Sequence, residues 1–365
     1  MRRVEAPIEE VAARAYRIPT DAPEADGTFA WERTTLVTVE IAAGGRTGLG
    51  YTYSTLAAVP LIASTLAPVL MQEDAFAIPR LWQAMVAQMR NLGSRGIAAT
   101  AISAVDVALW DLKARLLGIP LAQLFGQARD EVPVYGSGGF TTYSHDRLKE
   151  QLGRWVHEDG CRFVKMKIGS EPRKDMDRMT LAKEAIGDAA LMIDANGAFD
   201  RKEALMFAER AADLGVIWFE EPVSSDDLDG LRLLRDRAPA PIEIAAGEYG
   251  YDSFYFKRMM DAGAVDVLQA DATRCCGYTG FLKAAALADA QPLPLSAHTA
   301  PALHLPVCCA APRLRHVEWF HDHARIEQML FEGAPIAKDG FIRPDLSRPG
   351  HGLTFKHADA ERFAV

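Results

Sequence analysis

Along residues 35 to 43, Thr-Leu-Val-Thr-Val-Glu-Ile-Ala-Ala, apolar and polar positions alternate with the period of a strand, and Gly44-Gly45 predicts a hairpin turn into a second strand over Gly48 to Tyr53. The chain therefore opens with a small sheet. Helical spacing follows, clearest from Ile97 through Ala104, Val105, Ala108, Leu109, Leu112 and Leu116, and Gly118-Ile119-Pro120 ends it. From about Pro133 the texture changes to short apolar runs separated by helix-like stretches. The predicted strands are Pro133 to Ser137, Phe163 to Ile168, Leu191 to Ala195, Val216 to Glu220, Ile242 to Gly247, Val265 to Ala270, Leu293 to Ala297 and Arg315 to Trp319. Eight such strands with intervening helices predict a closed parallel barrel whose site lies at the strands' C-terminal ends. Beyond Phe320 the chain carries glycines and prolines with a weak strand around Gly340 to Arg343, and this tail is expected to return to the N-terminal part.

Side chains alternate faces along a strand, so the parity of each run shows what the barrel interior would hold. Val164, Met166 and Ile168 suit packing under helices, which turns Lys165 and Lys167 inward. Leu191 and Ile193 likewise face the helices, leaving Asp194 and Asn196 at the strand's end. Glu220 and Glu248 have the same inward parity at the ends of the next two strands, each one strand–helix unit further on. Taken singly, each carboxylate is equally compatible with an ion pair at the barrel rim. Three at one height, with room for water and substrate, form the set of hard oxygen ligands that Mg²⁺ favours. The sixth and seventh strands add Asp271 and His298. A histidine beside an apolar run is more often structural, but a buried Asp that accepts from one imidazole nitrogen makes the other a competent base. Glu318, on the eighth strand, points inward beside this pair, where an ion pair with a lysine is the plainer reading.

Composition narrows the class. The 365 residues with 49 % hydrophobic content can fill one large barrel or a barrel and a smaller companion. The net charge of −9, from 49 acidic and 40 basic residues, comes without a Lys/Arg block, which argues against nucleic acid. Five cysteines lack zinc spacing and read as reduced thiols. Met1-Arg2-Arg3-Val4-Glu5 lacks the apolar stretch of a signal peptide, and no run of about 18 apolar residues occurs, so a cytoplasmic protein without membrane contact is expected. His321-Asp322-His323 lacks further ligands for a metal, and Gly136 to Gly139 lacks the lysine and helix of a phosphate loop.

The ordered set Lys165-Met166-Lys167, Asp194-Ala195-Asn196, Glu220-Glu221-Pro222, Gly247-Glu248, Asp271, His298 and Glu318 resembles the mandelate racemase subgroup of the enolase superfamily across essentially the whole barrel. Ser103 to Lys113 resembles that family's capping-domain helix, and Cys275-Cys276-Gly277 departs from its glycine-rich turn. The resemblance implies an α/β fold: an α+β capping domain over 1–127, a (β/α)7β TIM-like barrel over 128–325, and a segment 326–365 that completes the cap. It implies that Asp194, Glu220 and Glu248 hold Mg²⁺, with Asn196 and Glu221 supporting them. Lys167 would be the base on one face of the substrate, with His298 and Asp271 serving the other. Lys165 and Glu318 would contact carboxylate or enolate oxygens, Glu318 as a protonated donor. Lys167 must be neutral to act, and Lys165 and the cation are expected to depress its pKa.

Bases on two faces permit dehydration or racemisation. Gly48 to Ser54 with Ser137 to Phe140 is similar to aldarate dehydratases, which favours dehydration of an acid sugar, with racemisation of a 2-hydroxy acid as the alternative and a non-catalytic metal-binding barrel as the reading from another class. Relatives with a lysine after the sixth strand fit less well, since Asp271 stands there and the next lysine is Lys283. Substrate contacts are expected from Ser137, Tyr53 and a loop, Thr20 to Trp31, whose Phe29 or Trp31 would act as a lid; packing of these aromatics on the barrel is the equal alternative. The expected partner is a small carboxylate, and a homo-oligomer is expected.

Overall fold

The computed structural model describes residues 5–365; the Met1 to Val4 part of the leader reading lies outside them. Three antiparallel strands, β1 (Ile8–Ala25), β2 (Ala30–Ala43) and β3 (Arg46–Tyr53), form the N-terminal sheet. Gly44 and Gly45 both take positive φ, as a tight two-residue hairpin requires, and Ala43 pairs with Arg46. β1 carries no clean alternation and contains Pro19 and Pro23, so the sequence pattern did not reveal it. The expected loop Thr20 to Trp31 is in fact the far end of the β1–β2 hairpin. After an irregularity between Pro19 and Glu24, pairing resumes as Glu24 with Trp31 and Ala25 with Ala30.

The helix Ile97–Leu117 ends where Gly118 turns left-handed at φ +70°. It lies across β3, and the two backbones meet at glycines. A Cβ on Gly48 would stand 2.3 Å from the Ala108 oxygen, and one on Gly50 2.1 Å from the Ala104 oxygen. The helix's other polar side chains tie the cap to the barrel: Asp106 accepts from Thr279 N (2.9 Å) and Thr279 Oγ (2.7 Å), and Ser103 Oγ accepts from Gly277 N. These bonds shape the turn that departs from the glycine-rich pattern, where Cys276 takes a left-handed φ of +65° ahead of Gly277.

The barrel consists of β4 (Val132–Gly138), β5 (Phe163–Lys167), β6 (Ala190–Asp194), β7 (Val216–Glu220), β8 (Glu243–Ala246), β9 (Val267–Ala270), β10 (Leu295–Ala297) and β11 (Leu314–Phe320). Each pairs in parallel with the next, and β11 closes on β4. Seven helices connect them, from His145–His157 to Pro301–Ala310. Tyr135, Met192, Trp218, Ala245 and Val267 fill the barrel's inner floor, while Val164, Met166, Leu191 and Ile193 belong to the core under the helices. The eighth strand is followed by the helix His321–Leu330 and the tail. Short strand β12 (Phe331–Glu332) pairs with β14 (Thr354–Phe355). The weak strand, β13 (Phe341–Ile342), pairs antiparallel with Pro133 and Val132 of β4, so it seals the barrel rather than joining the cap sheet. The final residues lie on β1, where Val365 N donates to Ala15 O. All five cysteines are free and buried, and no helix among the described residues is long and apolar enough to cross a membrane.

Gly50→Ala should lower the unfolding free energy by about 1–3 kcal/mol, because the added methyl meets helix backbone that cannot rotate aside. Urea denaturation measures this; an unchanged midpoint would show that the sheet and helix are not in the contact described.

Candidate active site

Strand register sets the heights of the charged groups. Lys167 pairs with Asp194 and Asp194 with Glu220, so the last residues of β5, β6 and β7 stand side by side; Glu248 arrives from two residues beyond β8. Ligand oxygens of Asp194, Glu220 and Glu248 all lie within 4.8 Å of one another, and all three residues are buried. Lys165 Nζ donates to both Glu220 oxygens at 2.7 Å and stands 2.8 Å from Glu318 Oε1 and 3.5 Å from Asp194 Oδ2. Lys167 Nζ donates to Asp194 Oδ2 at 2.5 Å and to Asn196 Oδ1 at 3.1 Å, and Asn196 N donates to Asp194 Oδ1.

Like charges confined in a dry site shift one another's pKa. Burial first, then Asp194, pushes Glu220 up to about 8 against the pull of Lys165. Burial, with Glu248 next, drives Glu221 well above the carboxylate range, and Glu221 Oε1 has no hydrogen-bond partner. Burial also acts to raise Glu248, but His298 and Arg274 override it and hold it well below. No donor is aligned on Glu248 Oε2, although His298 Nε2 lies 3.1 Å away. Three buried oxygen donors that repel each other, one with an unpartnered oxygen, fit a divalent cation. Burial first, and then Lys165, act to lower the Lys167 pKa, but without a cation beside it Asp194, Glu248 and Glu220 together outweigh them and the net shift is upward.

His298 reaches the opposite end of the triad. Its Nδ1 donates to Asp271 Oδ2 at 2.8 Å, and Thr273 N and Oγ hold Asp271 Oδ1, each at 2.7 Å. Burial works to lower the imidazole pKa, but Glu248 and Glu318, helped by the Asp271 hydrogen bond, push it up to about 10. Thus Lys167 touches the triad at Asp194 and His298 approaches it at Glu248. Glu318 requires a correction. Its oxygens accept from Ser137 Oγ (2.6 Å), Thr299 N (3.0 Å) and Lys165, and although burial opposes it, Lys165 and His298 bring its pKa down to about 2. It is an ionised acceptor, not a protonated donor. Ser137 is corrected with it: fully buried and bonded to Glu318, it does not line the cavity.

That cavity, about 390 Å³, lies between the strand ends and the β1–β2 hairpin. Phe29, Trp31 and Tyr53 line it from the cap, facing Lys167, Asn196 and His298. Phe29 is 67 % exposed and stacks on Trp31 at 6.2 Å, while Trp31 meets Phe140 edge-on at 5.5 Å and donates to buried Glu24 at 2.8 Å. Trp31 therefore packs on the barrel and roofs the cavity at once. Arg274, which donates to Glu248 Oε1 at 3.1 Å, was missed in the sequence; its only signal was a cation three residues after Asp271. His323, set aside with its neighbours as a metal motif, also lines the cavity. A second trio, Asp21, Glu24 and His321, lies outside the barrel mouth, but Arg147 and His321, each at 3.0 Å, already occupy the two Asp21 oxygens.

Residues 10–126 match the family described as the mandelate racemase/muconate lactonizing enzyme N-terminal domain, and residues 147–360 match the family described as enolase C-terminal domain-like. The chain belongs to the mandelate racemase/muconate lactonizing enzyme family of the enolase superfamily. Within that family it is 35 % identical to the 3,6-anhydro-α-L-galactonate cycloisomerase of Streptomyces coelicolor, over 98 % of this chain and 99 % of the relative. It is 50 % identical to a mandelate racemase/muconate lactonizing enzyme-like protein from Rubrobacter xylanophilus, whose structure superposes with a TM-score of 0.96 over 98 % of this chain and 100 % of the other. An L-talarate dehydratase from Polaromonas sp. JS666, solved with Mg and L-glucarate, superposes at 0.88 with 32 % identity over 99 % and 98 % of the two chains.

The bond from Trp31 to Glu24 ties the stability of the cap to pH. Burial first, with Asp322 adding repulsion, raises Glu24 to about 9, so the folded protein keeps a proton that the unfolded chain releases near 4.5. The stability contributed by that proton is complete at acid pH and declines as pH rises toward 9. Glu24→Gln keeps the hydrogen bond to Trp31 without titrating, so its stability relative to wild type should rise between about pH 6 and pH 8, by at most about 1.4 kcal/mol per pH unit. Urea unfolding at both pH values checks this, and a flat difference would contradict it.

Proposed function

We propose that this chain is a Mg²⁺-dependent acid-sugar dehydratase, converting an aldonate or aldarate to its 2-keto-3-deoxy product. The observation that carries the reading is the placement of Lys167 and the His298–Asp271 pair at opposite ends of one buried carboxylate triad. Asp194, Glu220 and Glu248 would hold the cation, with Asn196 and Glu221 behind them. Bound there, Mg²⁺ supplies a Lewis acid that spreads the charge a substrate carboxylate gains when its α-proton leaves.

The rest falls to the chain's own residues. Lys167 Nζ takes the proton from C2. Asp194, with Glu248 and Glu220, holds this amine charged, so once these three carboxylates are committed as metal ligands their influence falls away. Burial and Lys165 remain, and both favour the neutral amine that abstraction needs. Lys165, fixed by Glu220 and Glu318, presents positive charge to the carboxylate oxygens as the enediolate forms. On the other face Asp271 keeps a hydrogen on His298 Nδ1, and a raised imidazole pKa means that Nε2 also carries a proton to give. His298 passes it to the C3 hydroxyl, the C3–O bond breaks, water leaves, and the resulting enol tautomerises to the 2-keto acid. Glu318 stabilises the imidazolium and anchors Lys165. The same two groups also support a second reading: if His298 instead returns its proton to C2, the product is the epimer.

Both steps can be separated. In D₂O with Mg²⁺, Lys167→Met should abolish both C2 exchange and water loss. His298→Asn should lower dehydration by about 10²–10⁴-fold while exchange persists for a substrate whose C2 hydrogen faces Lys167. NMR on a panel of aldonates, aldarates and their lactones reads the outcome: a 2-keto-3-deoxy product supports dehydration, deuterium without water loss supports epimerisation, and rearrangement without mass change supports cycloisomerisation. Chelation should remove all activity, and Glu220→Gln should weaken Mg²⁺ binding measured calorimetrically by at least about tenfold. Undiminished activity in chelator would overturn the assignment.

A further inference from the structure

His323 plays no part in the reaction just described, yet it is one of the most firmly oriented side chains on the cavity wall. It stands in the helix after β11, beside the turn that follows His298. Its ring lies flat on Tyr53, with centroids 3.5 Å apart and planes 10° apart, and Phe320 meets it edge-on at 5.0 Å. Ala300 N–H donates to Nδ1 at 3.4 Å. An accepting nitrogen carries no hydrogen, so the neutral ring bears its hydrogen on Nε2. Burial first, then the neighbouring His298, keeps the imidazole pKa well below its ordinary range, so the ring stays neutral. Among the described residues Nε2 has no hydrogen-bond partner, and the residue lines the cavity. Its N–H is therefore available to a ligand bound there. The Tyr53 hydroxyl, on the same wall, is buried without a partner.

A fixed, uncharged, unpaired N–H on a cavity wall matches an uncharged oxygen acceptor, and the same wall carries His298, which serves the C3 hydroxyl. We propose that His323 binds the substrate, its Nε2–H donating to a hydroxyl oxygen on the chain beyond C2, and that this contact makes the site select polyhydroxy acids over 2-hydroxy acids with short or apolar tails. The inference rests on the reading of an acid-sugar site given above. Selectivity of this kind is strong because a buried donor left unpaired penalises the wrong ligand as well as rewarding the right one.

The test is calorimetric binding in the presence of Mg²⁺, in a Lys167→Met background that stops turnover, with gluconate and galactarate as polyhydroxy probes and lactate as the short one. His323→Phe preserves the stack on Tyr53 and removes the donor. It should weaken the tighter-binding acid sugar by about tenfold and leave lactate within about twofold, with His323→Gln recovering part of the loss. Unchanged Mg²⁺ affinity and melting temperature show that the variant folds. Equal losses for sugar and lactate, no loss for either, or a parent that binds lactate but neither sugar would overturn the proposal. If binding behaves as expected but the enzyme with Lys167 intact releases no water from any acid sugar, the dehydratase reading fails and the role of His323 stands.

Discussion

Everything in the site follows from holding three buried carboxylates with ligand oxygens within 4.8 Å of one another at the floor of the cavity. Left alone, Asp194, Glu220 and Glu248 would repel one another strongly enough to spread the strand ends or to stay protonated. The chain answers with two lysines on one face of β5. Lys165 bonds Glu220 and Glu318, linking β7 to β11 across the barrel floor, and Lys167 bonds Asp194. Because β5, β6 and β7 are in register at their last residues, shifting any of them by one residue would turn its charged side chain into the apolar layer under the helices. Register, charge balance and chemistry are therefore one constraint, and burial first, then the repulsion of Asp194, leave Glu220 with a raised pKa that a cation between the two would relieve.

The cap turns this charged floor into a cavity. Its β1–β2 hairpin is anchored to the barrel at several points, by Trp31 on Phe140, by Thr34 on Asp322, and by Arg325 on the Pro19 carbonyl. The base of the sheet is locked to the helix Ile97–Leu117 through Gly48 and Gly50, and that helix is bonded in turn to the barrel through Asp106. Positions that look remote from the chemistry thus fix the roof. Phe29, exposed at the hairpin tip, is the part of that roof with fewest constraints, which suits a residue that must move aside for entry.

The barrel was legible because its signal is local and periodic. Parity within five-residue runs placed Lys165, Lys167, Asp194 and Glu220 on one face, and the spacing of one strand–helix unit set their heights. Glu248 was legible although it lies beyond its strand, since Gly247 lets the chain turn without changing the side on which the next residue emerges. What stayed hidden depends on who neighbours whom. Nothing in the run around Glu318 says that Ser137, Thr299 and Lys165 all donate to it, so its ionisation and the burial of Ser137 could be known only from the fold. β1 was hidden because Pro19 and Pro23 imitate a loop, and Arg274 and His323 because each lies on a turn or helix with no period to expose it.

The central claim is geometric: one divalent cation, held by Asp194, Glu220 and Glu248, lies with Lys167 on one side and His298 on the other. Anomalous diffraction from crystals grown with Mn²⁺ in place of Mg²⁺ measures this directly. A single strong peak is expected within about 2.0–2.3 Å of an oxygen from each of the three carboxylates, with the amine and the imidazole flanking it from opposite directions. A peak outside that triad, or one with Lys167 and His298 on the same side, would contradict it.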